Sequence, residues 1–320
     1  RPTPSTPHDQ SSAASDVYKR EMSNNSSGSS QRLAQAPSSQ AGLSLIELME
    51  VTATATQDVF TARTETYGPV GLYGGHFLGQ AMAAGLMTVD EGKLAHSYHA
   101  YFLRAGDPTL PLRYEVTRLR EGRNGDTRAI TAIQGEHKAF HMIASFKTDE
   151  NGDQHQPTAP VLEPPETIVA AREAIGEPPW PFPVVQGGRV QMEWASPNFF
   201  EFDPEAAPAL QLWMRLAPPT QALTARQRQI VMAYLSDGPL MFNSALPHGL
   251  PFQTHRLTSL DQSAWFHHDA DPHQWMIFDQ RSTAAMGGRG MNEGQIYSHD
   301  GRLLMTCAQE SMLRKIPPDK

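Results

Sequence analysis

Two side chains in this sequence lie where polar groups are expensive. Asp237 falls in Gln229-Ile-Val-Met-Ala-Tyr-Leu-Ser-Asp-Gly-Pro-Leu-Met241, a stretch that is apolar on nearly every side. Ile230, Ala233, Tyr234, Asp237 and Met241 follow the spacing of one helical face, and Val231 and Leu235 add a second apolar side. The stretch predicts a buried helix carrying one carboxylate. Gln309 lies in the run Leu303 to Leu313, where Leu303, Met305, Cys307, Gln309, Ser311 and Leu313 share one face by period-two alternation. Most of that face is apolar, so Gln309 is expected to be a buried amide. Removing such groups from water is costly unless they are hydrogen-bonded. A carboxylate and an amide from a helix and a strand of one core can satisfy each other through a water. A carboxylate that holds a water is also placed to accept its proton as the water attacks an electrophile. The ordinary alternatives are a carboxylate bonded to nearby amides or paired with an Arg, and a core amide bonded to backbone.

The other reactive residue types carry less. His137 and His141 have helical ligand spacing but fall in or beside a strand-like run, and the adjacent His267 and His268 must point to opposite faces, so no metal site is expected. His76 and His96 read as hydrogen-bonded structural residues. Cys307 is the only cysteine, and no His is placed to activate it. Arg118, Arg120, Arg123 and Arg128 form a basic cluster that could meet phosphates, although solvated charge is the stronger reading. The chain has neither a Gly-x-Ser-x-Gly elbow nor a Gly-x-Gly-x-x-Gly nucleotide loop, and no motif calls for a cofactor.

The elements that must position Asp237 and Gln309 occur twice. After a segment rich in Ser, Pro and Gln over residues 1–42, read as a disordered tail, the chain gives an amphipathic opening at Leu45 to Met49 and a strand-like run from Asp58 to Tyr67. A buried helix with glycines at its head is expected over Gly75 to Met87. Strand-like runs follow at Leu94 to Leu103, Leu112 to Leu119, Thr127 to Gln134 and Lys138 to Lys147. A proline-dense segment, residues 149–188, disfavours regular structure and is read as a linker, with a short helix at Glu166 to Ala174. Strand-like runs at Val190 to Trp194 and Leu210 to Leu216 then precede the Asp237 helix. Four more follow, at Arg256 to His267, Trp275 to Ser282, Gly290 to Tyr297 and Leu303 to Leu313. Ala100-Tyr-Phe-Leu-Arg-Ala-Gly-Asp-Pro108 also aligns without a gap to Ala264-Trp-Phe-His-His-Asp-Ala-Asp-Pro272. The order of elements and this match indicate a tandem duplication, with units over residues 43–148 and 189–316.

Composition agrees with a globular protein. The 320 residues are 39% hydrophobic, enough for sizeable cores, and no apolar run reaches the roughly 20 residues of a membrane span. A formal net charge of -8 argues against nucleic acid as a partner. A single cysteine excludes an internal disulfide framework and fits a reducing compartment. No apolar leader is evident and the Asp-Lys terminus offers no peroxisomal address, so a cytoplasmic location is expected.

Several segments resemble the acyl-CoA thioesterase II family of double hotdog proteins. They are Tyr73-Gly-Gly-His-Phe-Leu-Gly-Gln-Ala81, His96-Ser-Tyr-His-Ala-Tyr-Phe-Leu-Arg104 with Gly106-Asp107, Ala233-Tyr-Leu-Ser-Asp237, Ser259-Leu-Asp-Gln-Ser-Ala-Trp-Phe-His267, and Gln309-Glu310. The resemblance covers roughly Leu45 to Lys315. It implies an α+β tandem hotdog fold, each half an antiparallel sheet wrapped around a long helix, with a hydrolytic site in the second half. That site maps onto Asp237, a strand hydroxyl at Ser259 and Gln309. Ser259 and Gln262 stand where the family carries Thr and His, and Thr258 is the neighbouring alternative for the hydroxyl. The implied activity is hydrolysis of acyl-CoA to free fatty acid and CoA by water that Asp237 activates and that Ser259 and Gln309 orient. Gly74, Gly75 or Gly238 would supply amides to the oxyanion. A thioester is electrophilic enough to need no covalent nucleophile. The resemblance also implies a homo-oligomer. A catalytically silent acyl-CoA binding module is the alternative function. A hotdog hydratase ranks behind it, because no suitable Asp and His pair is found.

Overall fold

The computed structural model describes residues 43–65, 71–174, 176, 188–195, 203–205, 207–218 and 221–317. The tail expected over residues 1–42 lies outside these, as do parts of the expected linker and Thr66 and Tyr67 of the first strand-like run.

Ser44 and Glu47 form a capping box that starts α1 (Leu45–Met49), a short helix with four buried apolar residues. Two short strands follow, β1 (Val51–Ala53) and β2 (Val59–Ala62), so among the described residues of the run expected from Asp58 to Tyr67 only Val59–Ala62 is strand. Helix α2 (Gly74–Leu86) is buried from Gly75 onward, as its small and apolar residues require. The meander is β3 (Lys93–Phe102), β4 (Leu112–Arg120), β5 (Gly125–Gln134) and β6 (His137–Thr148). After α3 (Pro165–Ala174) the second half repeats the order with β7 (Val190–Trp194), β8 (Ala209–Leu216) and helix α4 (Ala225–Leu235). It continues through β9 (His255–Ser259), β10 (Asp261–Phe266), β11 (Met276–Met286), β12 (Arg289–Ser298) and β13 (Leu303–Lys315). The single strand expected from Arg256 to His267 is therefore two, parted at Leu260.

One antiparallel sheet runs in the order β1-β2-β4-β5-β6-β3-β10-β13-β12-β11-β8-β7, with β9 also paired to β13. The order reads the same from either end when each strand is replaced by its counterpart. The halves join where β3 meets β10, and there His99 pairs with Ser263, two positions that the ungapped match makes equivalent. A pseudo-two-fold axis passes through this pair, and α2 and α4 pack against each other inside the curled sheet. Two sheet-around-helix units that share one continuous sheet make the double hotdog fold.

The halves share an irregularity as well. The pairing of β3 with β6 slips between Ala95 and Ser97, and the pairing along β13 passes from β9 to β10 across Leu260, whose amide donates to Glu310 O. Matching the two ladders makes Ala95 equivalent to Ser259, Ala144 to Gln309 and Arg128 to Asn292.

The described part of the proline-dense segment, irregular over residues 151–164 and helical in α3, lies on the outer face of the second half. Ala159, Leu162 and Ile168 pack on a cluster of Trp213, Ile277, Tyr297 and Leu303. Glu163 O accepts from Trp213 Nε1, and Gln156 bonds Leu303 N and Gly301 O.

Candidate active site

Asp237 does not lie on a helix, contrary to the sequence expectation. Helix α4 starts earlier, at a capping box of Thr224 and Gln227, and stops at Leu235 with Ser236 as its C-cap. Pro239 accounts for the stop. It lacks an N–H, restricts Gly238 before it, and instead opens a short 3-10 helix, Pro239–Phe242. Asp237 sits in the corner between the two helices, 6% exposed. From there its carboxylate leaves α4 and reaches the first turn of α2.

Three donors hold that carboxylate. Gln309 Nε2 donates to Oδ1 at 2.7 Å and Ser259 Oγ to the same oxygen at 3.2 Å. The Gly75 amide donates to Oδ2 at 2.9 Å. The amide and the carboxylate, expected to meet through a water, are thus bonded directly. Thr258 is exposed, so the half-buried Ser259 supplies the hydroxyl. A free helix N-terminus favours negative charge, and α2 has no side-chain cap of its own. Asp237 fills that role from the other half of the chain.

Burial still dominates, raising the Asp237 pKa from 3.8 to about 7 against the lowering effect of the bonds from Gln309, Ser259 and Gly75. Tyr73, Tyr98 and Cys307 lie close enough to feel its charge, and burial raises the pKa of each. These neighbours stay neutral at neutral pH, while Asp237 exchanges a proton there.

Glycine is required opposite the carboxylate. A Cβ on Gly74 would sit 2.5 Å from Asp237 Oδ2 and 3.0 Å from Phe102 Cε1. Of the three glycines expected to supply oxyanion donors, Gly75 gives its amide to Asp237 and Gly238 gives its amide to Leu235 O. The Gly74 amide, at the first helical position, has no acceptor among the described residues.

Behind the carboxylate a polar chain runs on from Gln309 through residues to which the sequence assigned no role. Gln309 Nε2 also donates to Gln262 Oε1 at 3.1 Å, and Gln262 Nε2 donates to Ser236 Oγ at 2.8 Å and Tyr98 Oη at 3.1 Å. Gln262, Ser236, Tyr98 and Gln309 are all 0% exposed. Gln309 Oε1 has no partner among the described residues. Ser236 adjoins Asp237 in sequence, but Tyr98 comes from the first half, and no spacing rule brings it here.

The remaining candidates resolve as structural. His96 bonds Ser145 Oγ, His141 bonds Thr131 Oγ1, and His76 bonds Arg63 O, with burial lowering its pKa to about 4. Cys307 is fully buried beside the cluster, and burial raises its pKa far from thiolate chemistry. Arg118 pairs with Asp58 and Glu121. Arg128, 1% exposed, donates to Thr88 O, Thr88 Oγ1 and Arg120 O just beyond the end of α2. This is the place in the first half that corresponds to the Asp237 corner, and there Ala95 and Ala144 stand for Ser259 and Gln309. The guanidinium fills it. Among the described residues no group of three His, Cys, Asp or Glu could hold a metal ion, and no helix is long and apolar enough to cross a membrane.

Comparison with known proteins agrees with the fold. The family models for the acyl-CoA thioesterase N-terminal and C-terminal domains match residues 63–147 and 165–313. Human acyl-coenzyme A thioesterase 8 is 31% identical over 274 residues, which cover 82% of this chain and 86% of that protein. Acyl-CoA thioesterase 2 of Haemophilus influenzae is 31% identical over 268 residues, 80% of this chain and 92% of that one. An acyl-CoA thioesterase II from Mycobacterium marinum matches in structure with a TM-score of 0.72 and 27% identity, over 85% of this chain and 99% of that chain. The chain belongs to the acyl-CoA thioesterase II family, whose members are thioester hydrolases.

Proposed function

We propose that the chain hydrolyses acyl-CoA to free fatty acid and CoA, with a water as nucleophile and Asp237 as its base. The observation that carries the reading is a buried carboxylate with a pKa of about 7, held by three donors and facing a glycine. Oδ1 accepts two hydrogen bonds and Oδ2 one, so Oδ2 keeps the lone pair that can take a proton. A water beside Gly74 gives one proton to Asp237 and turns the other toward Gln309 Oε1. Its oxygen bonds to the thioester carbon as the carbonyl π pair moves onto oxygen. First-turn amides of α2, that of Gly74 foremost, stabilise the resulting oxyanion. The oxyanion then collapses, the C–S bond breaks, and the leaving sulfur takes the proton from Asp237. Ser259 and Gln309 Nε2 act on the carboxylate first, fixing its plane before the water is bound.

Residues 43–148 and 189–316 form the two hotdog units on this reading, joined through 149–188, and both contribute to the one site. The test is release of free thiol from short, medium, long and branched acyl-CoAs. Asp237→Asn should lower kcat by about a thousandfold or more while acyl-CoA still binds. Unchanged turnover by this variant would remove Asp237 from its role. Tight acyl-CoA binding by the wild-type protein without thiol release would instead identify a silent binding module.

A further inference from the structure

Gln309 is asked to do two opposite things in the reaction proposed above, and its amide has one sense in which it can do both. The NH2 group must face Asp237 Oδ1, and the carbonyl oxygen must be left for the water. An amide rotates by half a turn with little change of shape, so something must select the sense. Asp237 does so only while it is ionised. A proton resting on Oδ1 instead of Oδ2 would turn the atom facing Gln309 into a donor, and the opposite sense of Gln309 would then suit it as well.

We infer that Gln262 is a positioning residue that locks the amide sense of Gln309, and that it acts on the reaction only through Gln309. The assignment follows from counting donors along the chain. Ser236 Oγ donates its single proton to Ala233 O at 2.8 Å, so it can only accept from its other neighbours. Tyr98 Oη, 2.8 Å from Ser236 Oγ, must therefore donate to it, and keeps only accepting capacity toward Gln262. Gln262 thus meets two acceptors, Ser236 Oγ and Tyr98 Oη, and satisfies them with the two protons of Nε2. Its Oε1 is forced toward Gln309, where it accepts from Nε2. The reverse sense of Gln262 would set its oxygen against two oxygens and its NH2 against the NH2 of Gln309. Gln309 is then fixed in turn, with both protons of Nε2 engaged by Gln262 Oε1 and Asp237 Oδ1. Its buried and unpartnered Oε1 is the end product of the lock. The backbone carbonyl of α4, through Ser236, thereby sets the orientation of an acceptor at the reacting water.

The inference rests on the proposed hydrolysis, and a double-mutant cycle keeps the two separable. Thiol release and its pH profile are measured for the wild type, Gln262→Met, Gln309→Met and the double variant, alongside thermal melts. Gln309→Met should lower kcat by about 30–300-fold, the size of losing one preorganised contact to the reacting groups. Gln262→Met should lower kcat by about 10–100-fold with KM within about twofold, and should move the acid limb of the profile upward, because an unlocked Gln309 no longer favours the ionised Asp237. The double variant should match Gln309→Met alone. Additive losses, a rise in KM with kcat unchanged, or an unmoved acid limb would overturn the lock. If Gln309→Met itself left kcat intact, the proposed chemistry would fail rather than the lock alone. Should Gln262→Met not fold, Tyr98→Phe with Ser236→Ala removes both acceptors and leaves Gln262 in place. That pair must show the same loss, and the same absence of further loss when Gln309 is already Met, or the inference falls.

Discussion

Asp237→Asn should stabilise the protein at alkaline pH while abolishing turnover, and the size of the gain follows from the burial of the carboxylate. Its pKa rises from 3.8 to about 7 on folding. At about 1.4 kcal/mol per pH unit the rise corresponds to roughly 4 kcal/mol. Because the pKa is raised in the folded protein, the native state binds this proton more tightly than the unfolded chain does. The contribution to stability is therefore fully present below about pH 4 and is lost as the pH climbs to about 7, above which the buried charge is carried at full cost. Asn is neutral throughout and avoids that cost. Its NH2 group must, however, face either the Gly75 amide or the donors from Gln309 and Ser259, and one donor left without an acceptor costs about 1–3 kcal/mol. The expected net gain near pH 8 is about 1–3 kcal/mol, shrinking to nothing or reversing near about pH 5. Urea unfolding at both pH values measures it, read as a shift in midpoint at constant slope. A variant less stable than wild type by the same amount at both values would refute the reasoning. So would a wild-type kcat/KM profile whose acid limb lies below about pH 5, since the ionised form must be the active one.

Three further outcomes are expected. Ser259→Ala should lower kcat about tenfold, the worth of one hydrogen bond to a charged group, whereas Ser259→Thr keeps the hydroxyl and should retain most activity in the same thiol-release assay. Gly74→Ala should leave a folded protein, judged by circular dichroism, with kcat reduced at least about a hundredfold, because its Cβ would stand 2.5 Å from Asp237 Oδ2. Arg128→Met should cost about 3–5 kcal/mol in urea unfolding by stranding the carbonyls that the guanidinium satisfies, while kcat changes less than about twofold.

The sequence made most of the architecture legible because both halves obey simple periodicities. Burial alternates along β13 at Met305, Cys307, Gln309 and Ser311 as the period-two pattern requires, and β7 has the bounds the pattern set. The failures are local and have causes. The α4 helix begins earlier than its apolar pattern because the capping box at Thr224 and Gln227 carries no apolar signal, and ends sooner because apolar residues continue past Pro239 in a different helix type. The break at Leu260 is invisible in the letters, since a slip of register changes pairing without changing composition. At the site, Asp237 and Gln309 stood out because each is a polar residue in apolar company. Gln262, Ser236 and Tyr98 did not, because their meaning lies in which atom of each donates to the next, a property of three-dimensional closure across segments far apart in sequence.

The bond from the Gly75 amide to Asp237 crosses from one half of the chain to the other. Duplication is usually thought to free one copy to drift while the other keeps the trade. Here the copy that lacks an acid, hydroxyl and amide at the equivalent positions is not free to drift, because it holds its twin's carboxylate in place. On the proposed mechanism, drift at the head of α2 is therefore felt as chemistry in the second half. The two copies are bound to a common fate along that seam, and neither half alone holds both the carboxylate and the amide that fixes it.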